Sequence, residues 1–294
     1  MTHDRAATAA EIAGDEKYLS LIVKPLRACS RYKPMFGKGR KGGLALDAFR
    51  RMYQADPFYN WMGLDSPLVY AAHKAAGGMT SIYRQIGIGC QWLFSALLQD
   101  CLGLSESDAA WSYQIPSRDG KPRTLRLDGR IEPDRVANAR AGKRVKDWIQ
   151  AAAGKLLLPK RQHQRIQGVV FEVRQGYKSK DSKRQNADIA NASSAYANLY
   201  IPVLLLFSTQ IDDDVANRYT GARRLLLSGS ARGTTCDSTY AFAGQSSATT
   251  LRDSSPAIRR ASRLSWNPCL PHYSGPDHGQ FSAPLAIPAS HVQG

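Results

Sequence analysis

The sequence predicts an α/β fold: a mixed sheet flanked by helices, with a helical region at the N-terminal side. Three observations predict it. Gly168 to Tyr177 is rich in β-branched and aromatic residues and reads as a strand. Ser182-Lys-Arg-Gln185 matches a capping box, in which the Ser and Gln side chains satisfy free backbone N–H groups. It opens a predicted helix whose stripe is Ile189, Ala192, Tyr196 and Leu199. Ile201 to Phe207 is then apolar on both faces, as a strand covered from both sides requires. Strand, helix and strand in close succession is the βαβ rhythm of a parallel pair.

The elements before this unit follow in order. Residues 1–30 read as a loosely helical lead-in. Arg31 to Gly43 is a basic, glycine-rich loop in which Lys38 and Arg40 are candidate phosphate contacts. It is not a phosphate-cradling P-loop, because no Gly-Lys-Ser/Thr follows. From Leu44 to Gly103 apolar residues recur at the helical period, with Gly103 as the expected C-terminal stop. Gly87 and Gly89 inside this stretch mark close packing or a kink. Thr124 to Ile131 reads as a hairpin turning at Asp128-Gly129. A basic helix follows from about Arg135 to Ala153, with Val145, Trp148, Ile149 and Ala152 on one face and Gly154 as its end. Beyond Gly229 no period of 2 or 3.6 is sustained, and the chain has no lysine after Lys183 and no glutamate after Glu172. The change after Leu227 suggests a disordered extension or an out-of-frame reading of the gene. Three regions result: 1–110, mainly helical; 111–228, the core; and 229–294, an atypical tail.

Composition narrows the function. The chain has 294 residues, and its 43% hydrophobic content is enough for a real core. A net charge of +16 favours polyanions, nucleic acid first. No apolar run approaches the roughly 20 residues that span a bilayer, and the first twenty residues carry acids rather than a leader's apolar stretch. The cysteines Cys29, Cys90, Cys101, Cys236 and Cys269 show neither disulfide nor zinc spacing, which points to a cytoplasmic protein.

Chemistry concentrates at the first strand of the βαβ unit. Side chains alternate along a strand, so Glu172, Arg174, Gly176 and Lys178 are expected on one face. A carboxylate and a cation on an otherwise apolar strand suit a metal ligand beside a phosphate contact. They equally suit a same-face ion pair. Lys178, Lys180, Lys183 and Arg184 cluster where the helix begins. Together with the free N–H groups there, they would form an anion site. A second acid is needed for a metal, and Asp128 and Asp134 are both candidates. Asp128 also suits a turn, and Asp134 a helix cap. Asp181-Ser-Lys183 repeats the acid-spacer-base spelling, but at the predicted cap. Asp212 to Asp214 read as the cap of a helix running to Ala222.

Glu172-Val-Arg174 on a strand, followed by Gly176 to Gln185, a helix and an apolar strand, resembles the core of the PD-(D/E)xK nuclease superfamily. Tyr70 to Gly78, Thr80 to Gly89 and Ser208 to Asp214 are further similar to restriction endonucleases of the ApaLI type. The resemblance covers roughly residues 35–228. It departs from the pattern at Arg174, where lysine is usual. It implies Mg²⁺ held by Glu172 and an upstream acid, Asp128 or Asp134, with Arg174 as a third catalytic residue. The partners it implies are duplex DNA, a second copy of the chain and a cognate DNA methyltransferase. A basic nucleic-acid-binding protein without catalysis is the competing expectation.

Overall fold

The computed structural model describes residues 9–35, 43–115, 123–177 and 182–246. The N-terminal half is helical, as its periodicity requires. Helix α1 (Ala9–Leu26) runs into a 3-10 turn, Arg27–Arg31. Helices α2 (Leu46–Gln54) and α3 (Pro57–Trp61) lead to α4 (Pro67–Leu102), which at 1.5 Å per residue is about 54 Å long. Ser66 caps α4, accepting from Val69 N, and Pro67 occupies its first turn, where no N–H is needed. Gly103 ends it in the left-handed conformation, at φ 64°. Gly89 marks close packing: a Cβ there would stand 2.8 Å from Ile22 Cα of α1. Nothing lies as near Gly87.

A short helix α5 (Glu106–Ala109) precedes strands β1 (Trp111–Ile115) and β2 (Arg123–Leu127), which pair antiparallel. Strand β3 (Gly129–Ile131) follows at once. The hairpin expected at Asp128-Gly129 does not form. Strand β2 belongs to the two-stranded sheet, β3 to the main sheet, and Asp128 is the crease between them. The reason is packing on two sides. Leu127 is drawn to Trp111 and Tyr200, while Gly129 lets Phe94 of α4 approach so closely that a Cβ would stand 2.7 Å from its ring.

After a 3-10 turn (Pro133–Arg135), α6 (Ala139–Lys155) is capped by Asn138, not Asp134. Its buried face includes Val145, Trp148, Ile149 and Ala152, and Gly154 lies inside its last turn. Helix α7 (Lys160–His163), strand β4 (Gly168–Arg174), α8 (Ser182–Ala197), strand β5 (Tyr200–Leu206), α9 (Asp213–Gly221), strand β6 (Leu225–Leu227) and α10 (Thr239–Ser246) complete the chain. The main sheet has the order β3-β4-β5-β6. Strand β3 is antiparallel to β4, and β4, β5 and β6 are parallel, so the βαβ unit is present and the sheet is mixed. One face packs on α4, α6 and α10 through Phe94, Trp148, Phe171 and Phe242. The other is covered by the β1-β2 pair at one end and by Tyr177, Val215 and Tyr219 at the other.

The tail boundary at residue 228 is corrected. Residues 229–246 belong to the fold. Ser228 and Ser238 form a parallel bridge, and Thr239 Oγ1 donates to the carbonyls of Leu206 (2.8 Å) and Leu227 (3.2 Å). Trp148 Nε1 donates to Thr235 O at 2.8 Å. Phe242 is 4% exposed, with its ring 4.6 Å from Trp148 and 5.7 Å from Phe171. Phe242→Ala should therefore cost about 3–5 kcal/mol, the usual range for a buried phenylalanine. Urea unfolding measures this, and ending the chain at Ser228 should cost more. A chain ending at Ser228 that melted within a few degrees of the full protein would remove residues 229–246 from the core.

Candidate functional site

Strand β4 places the acid-spacer-base motif at its C-terminal end. All its residues but Arg174 are buried. Val170, Glu172 and Arg174 point toward α8, with Leu204 and Leu206 of β5 directly alongside the last two. The alternation breaks after Arg174. Gln175 bends, and Gly176 passes so close to the loop after β5 that a Cβ would stand 3.0 Å from Gln210 O. Tyr177 N donates to that same carbonyl at 2.8 Å. Tyr177 consequently returns to the face of Glu172, packing with Leu204 and Leu206. The expected continuation of that face through Gly176 is thus replaced by Tyr177.

Asp128 is brought beside Glu172. Its N–H donates to Phe171 O at 2.9 Å, and its Oδ2 accepts from Val173 N at 2.8 Å, so Asp128 brackets Glu172 from the neighbouring strand. Asp134 goes elsewhere. It follows β3 at the other end, where Ile131 pairs with Val169, and it is exposed. Of the two acids, only Asp128 adjoins the strand motif.

Around this pair stands a charged network that the sequence did not announce. Arg174 Nη2 is paired with Glu172 Oε1 and lies 3.5 Å from Asp188 Oδ1 of α8. Arg224, 1% exposed just before β6, sets Nη2 3.8 Å from Glu172 Oε2 and donates from Nη1 to Asp188 O at 3.1 Å. Asp188 Oδ2 accepts from Tyr219 (2.6 Å) and Tyr177 (3.1 Å), whose hydroxyls are 2.9 Å apart. The Nε atoms of Arg174 and Arg224 are buried without a hydrogen-bond partner. The expected α8 stripe is rotated: its buried positions are Gln185, Asp188, Ala192 and Ala195. Two polar residues continuing an apolar i, i+3, i+7 spacing were the available signal for Asp188. Gln185 does not complete a capping box, because its Oε1 accepts from Arg218 at 2.8 Å.

Electrostatics follows burial. Desolvation pushes the Glu172 carboxyl up against the opposing pull of Arg174 and Arg224. Burial likewise raises Asp128, against hydrogen bonds from Val173 and Gln91 and the charge of Arg174. Arg174 is held charged: burial disfavours its cation, and Glu172, Asp188 and Asp128 outweigh that.

No family model, curated protein or solved structure matches the chain.

Lys38, Arg40, Lys178, Lys180 and Asp181 lie outside the described residues, as do the side chains of Lys183 and Arg184 on the first turn of α8. Asp212 caps α9, accepting from Asp214 N at 3.1 Å, as its sequence suggested. Among the described residues no group of three or more His, Cys, Asp and Glu side chains is assembled as a metal cluster. A divalent ion would rest on two carboxylates, Asp128 and Glu172. That donor set fits Mg²⁺, which takes one or two carboxylates and completes its shell with water. Glu172 would have to exchange its arginine partners for the ion. No helix among the described residues is long and apolar enough to cross a membrane.

Proposed function

We propose that this chain is a metal-dependent, site-specific endonuclease acting on duplex DNA in the manner of type II restriction enzymes. The observation that carries the reading is the position of Asp128, which brackets Glu172 while Arg174 stands two residues along the same strand. An acid pair next to an arginine, at the C-terminal end of a central strand, suits metal-assisted phosphodiester hydrolysis. The acids would hold the ion and the arginine would hold the phosphate. The net charge of +16 supplies the attraction for a polyanion.

Asp128 and Glu172 would hold Mg²⁺. The ion supplies a Lewis acid that activates water and offsets charge on the phosphate. Arg174 stays protonated, so it is no general base. Its guanidinium can give two hydrogen bonds to phosphate oxygens and stabilise their growing charge. It is partly solvent-exposed, whereas Arg224 is sealed. Arg174 is therefore the group that meets substrate, and Arg224 the one that supports Glu172 from inside. A two-fold dimer on a palindromic site, a partner methyltransferase and a cytoplasmic location complete the proposal.

One observation favours a second reading, a basic nucleic-acid-binding protein without catalysis. Both oxygens of Glu172 already face arginines. Supercoiled plasmid incubated with the full chain and Mg²⁺ separates the two. Discrete linear fragments that vanish with a chelator are expected. Retarded but intact plasmid at every Mg²⁺ concentration would select the non-catalytic reading.

A further inference from the structure

We propose that Asp188 is a positioning residue, which keeps the Arg174 guanidinium at the site when a divalent cation draws Glu172 away. The inference rests on the endonuclease reading and adds a residue to it. Its basis is that Arg174 is shared. One nitrogen, Nη2, is paired with Glu172 Oε1 and stands 3.5 Å from Asp188 Oδ1. A carboxylate oxygen engaged by a guanidinium is not open to a metal ion, so cation binding and the Glu172–Arg174 pair oppose each other. Without a second acceptor, releasing Arg174 would leave a largely buried cation unpaired, which is costly. Asp188 removes that cost, because its carboxylate already lies within reach.

Asp188 is built to stay where it is. Tyr219, fully buried, and Tyr177 both donate to its Oδ2, and Arg224 holds its main-chain carbonyl. Asp188 itself is 3% exposed. This leaves Oδ1 directed to Arg174. The buried Nε of Arg174 has no acceptor.

The test is a Mn²⁺ titration of the full chain without DNA, followed by electron paramagnetic resonance, in two backgrounds. In the otherwise unaltered protein, Asp188→Asn should weaken Mn²⁺ binding about tenfold, because Arg174 then pairs with Glu172 alone. In the Arg174→Ala background the same substitution should change the affinity less than about twofold. Unchanged affinity in Asp188→Asn overturns the positioning role and leaves the endonuclease reading standing. An equal loss in both backgrounds overturns it too, since a lost charge or disturbed packing would act without Arg174. Absence of Mn²⁺ binding by the unaltered chain overturns both. If Asp188→Asn fails to fold, Tyr219→Phe, which removes the shorter of the two hydroxyl bonds to Asp188, is titrated in its place. A loss confined to proteins carrying Arg174 is again the expected result, and its absence overturns the role.

Discussion

Glu172→Gln should abolish Mg²⁺-dependent cleavage while leaving DNA binding in place. Glutamine keeps the volume of the side chain and an oxygen for Arg174 or Arg224, but it removes the charge a divalent ion requires. Cleavage should fall below detection in a plasmid assay, while retardation of a DNA fragment in a metal-free gel persists. Cleavage at the unaltered rate would end the assignment of Glu172 as a metal ligand. Glu172→Ala should lose activity for a second reason. It leaves Arg224, 1% exposed, without its carboxylate partner, while Arg174 keeps Asp188. Breaking a buried pair from one side costs about 3–5 kcal/mol. The alanine variant should therefore melt well below the glutamine variant, and equal melting temperatures would show that the arginines find other partners.

Arg174→Ala should lower the cleavage rate about 100-fold or more, as expected when one transition-state donor is removed. Arg174→Lys should retain measurable cleavage, since a point charge replaces the fork but remains on the strand. The stability cost should be smaller than for Glu172→Ala. Glu172 keeps Arg224, and Asp188 keeps its two tyrosines. Lys178→Ala should mainly weaken DNA binding, an effect read from the salt dependence of affinity. Loss of cleavage in Lys178→Ala with full cleavage in Arg174→Ala would make Lys178 the catalytic cation. Tyr177 already occupies the Glu172 face where the strand pattern breaks, which favours Arg174.

Local pattern carried part of this reading. The β-branched run at residues 168–174 and the apolar run that follows were legible as strands. Both are covered on two faces, so burial wrote itself into composition. Helix α4 was legible through its period and through Gly103, which only a left-handed cap requires. The failures have equally local causes. Asp-Gly is a turn signal read from neighbours in sequence. Here the flanking residues are claimed by different sheets, and tertiary packing overrode the turn. Phe242 stood in a stretch without periodicity because α10 is short and buries one aromatic ring rather than a stripe.

By itself, the sequence determined that an acid and a base sit two apart on a buried strand, that a helix and a second strand follow, and that the whole carries strong positive charge. Side-chain alternation, helical period and net charge are properties of adjacent residues, so one chain suffices to read them. Only the tertiary structure decided that Asp128 rather than Asp134 joins Glu172, and that Asp188 and Arg224 close the network. Those choices depend on which residues of β3 lie opposite β4, and on which turn of α8 crosses Arg174. Register and crossing are set by how distant apolar surfaces pack, and no local spacing records them.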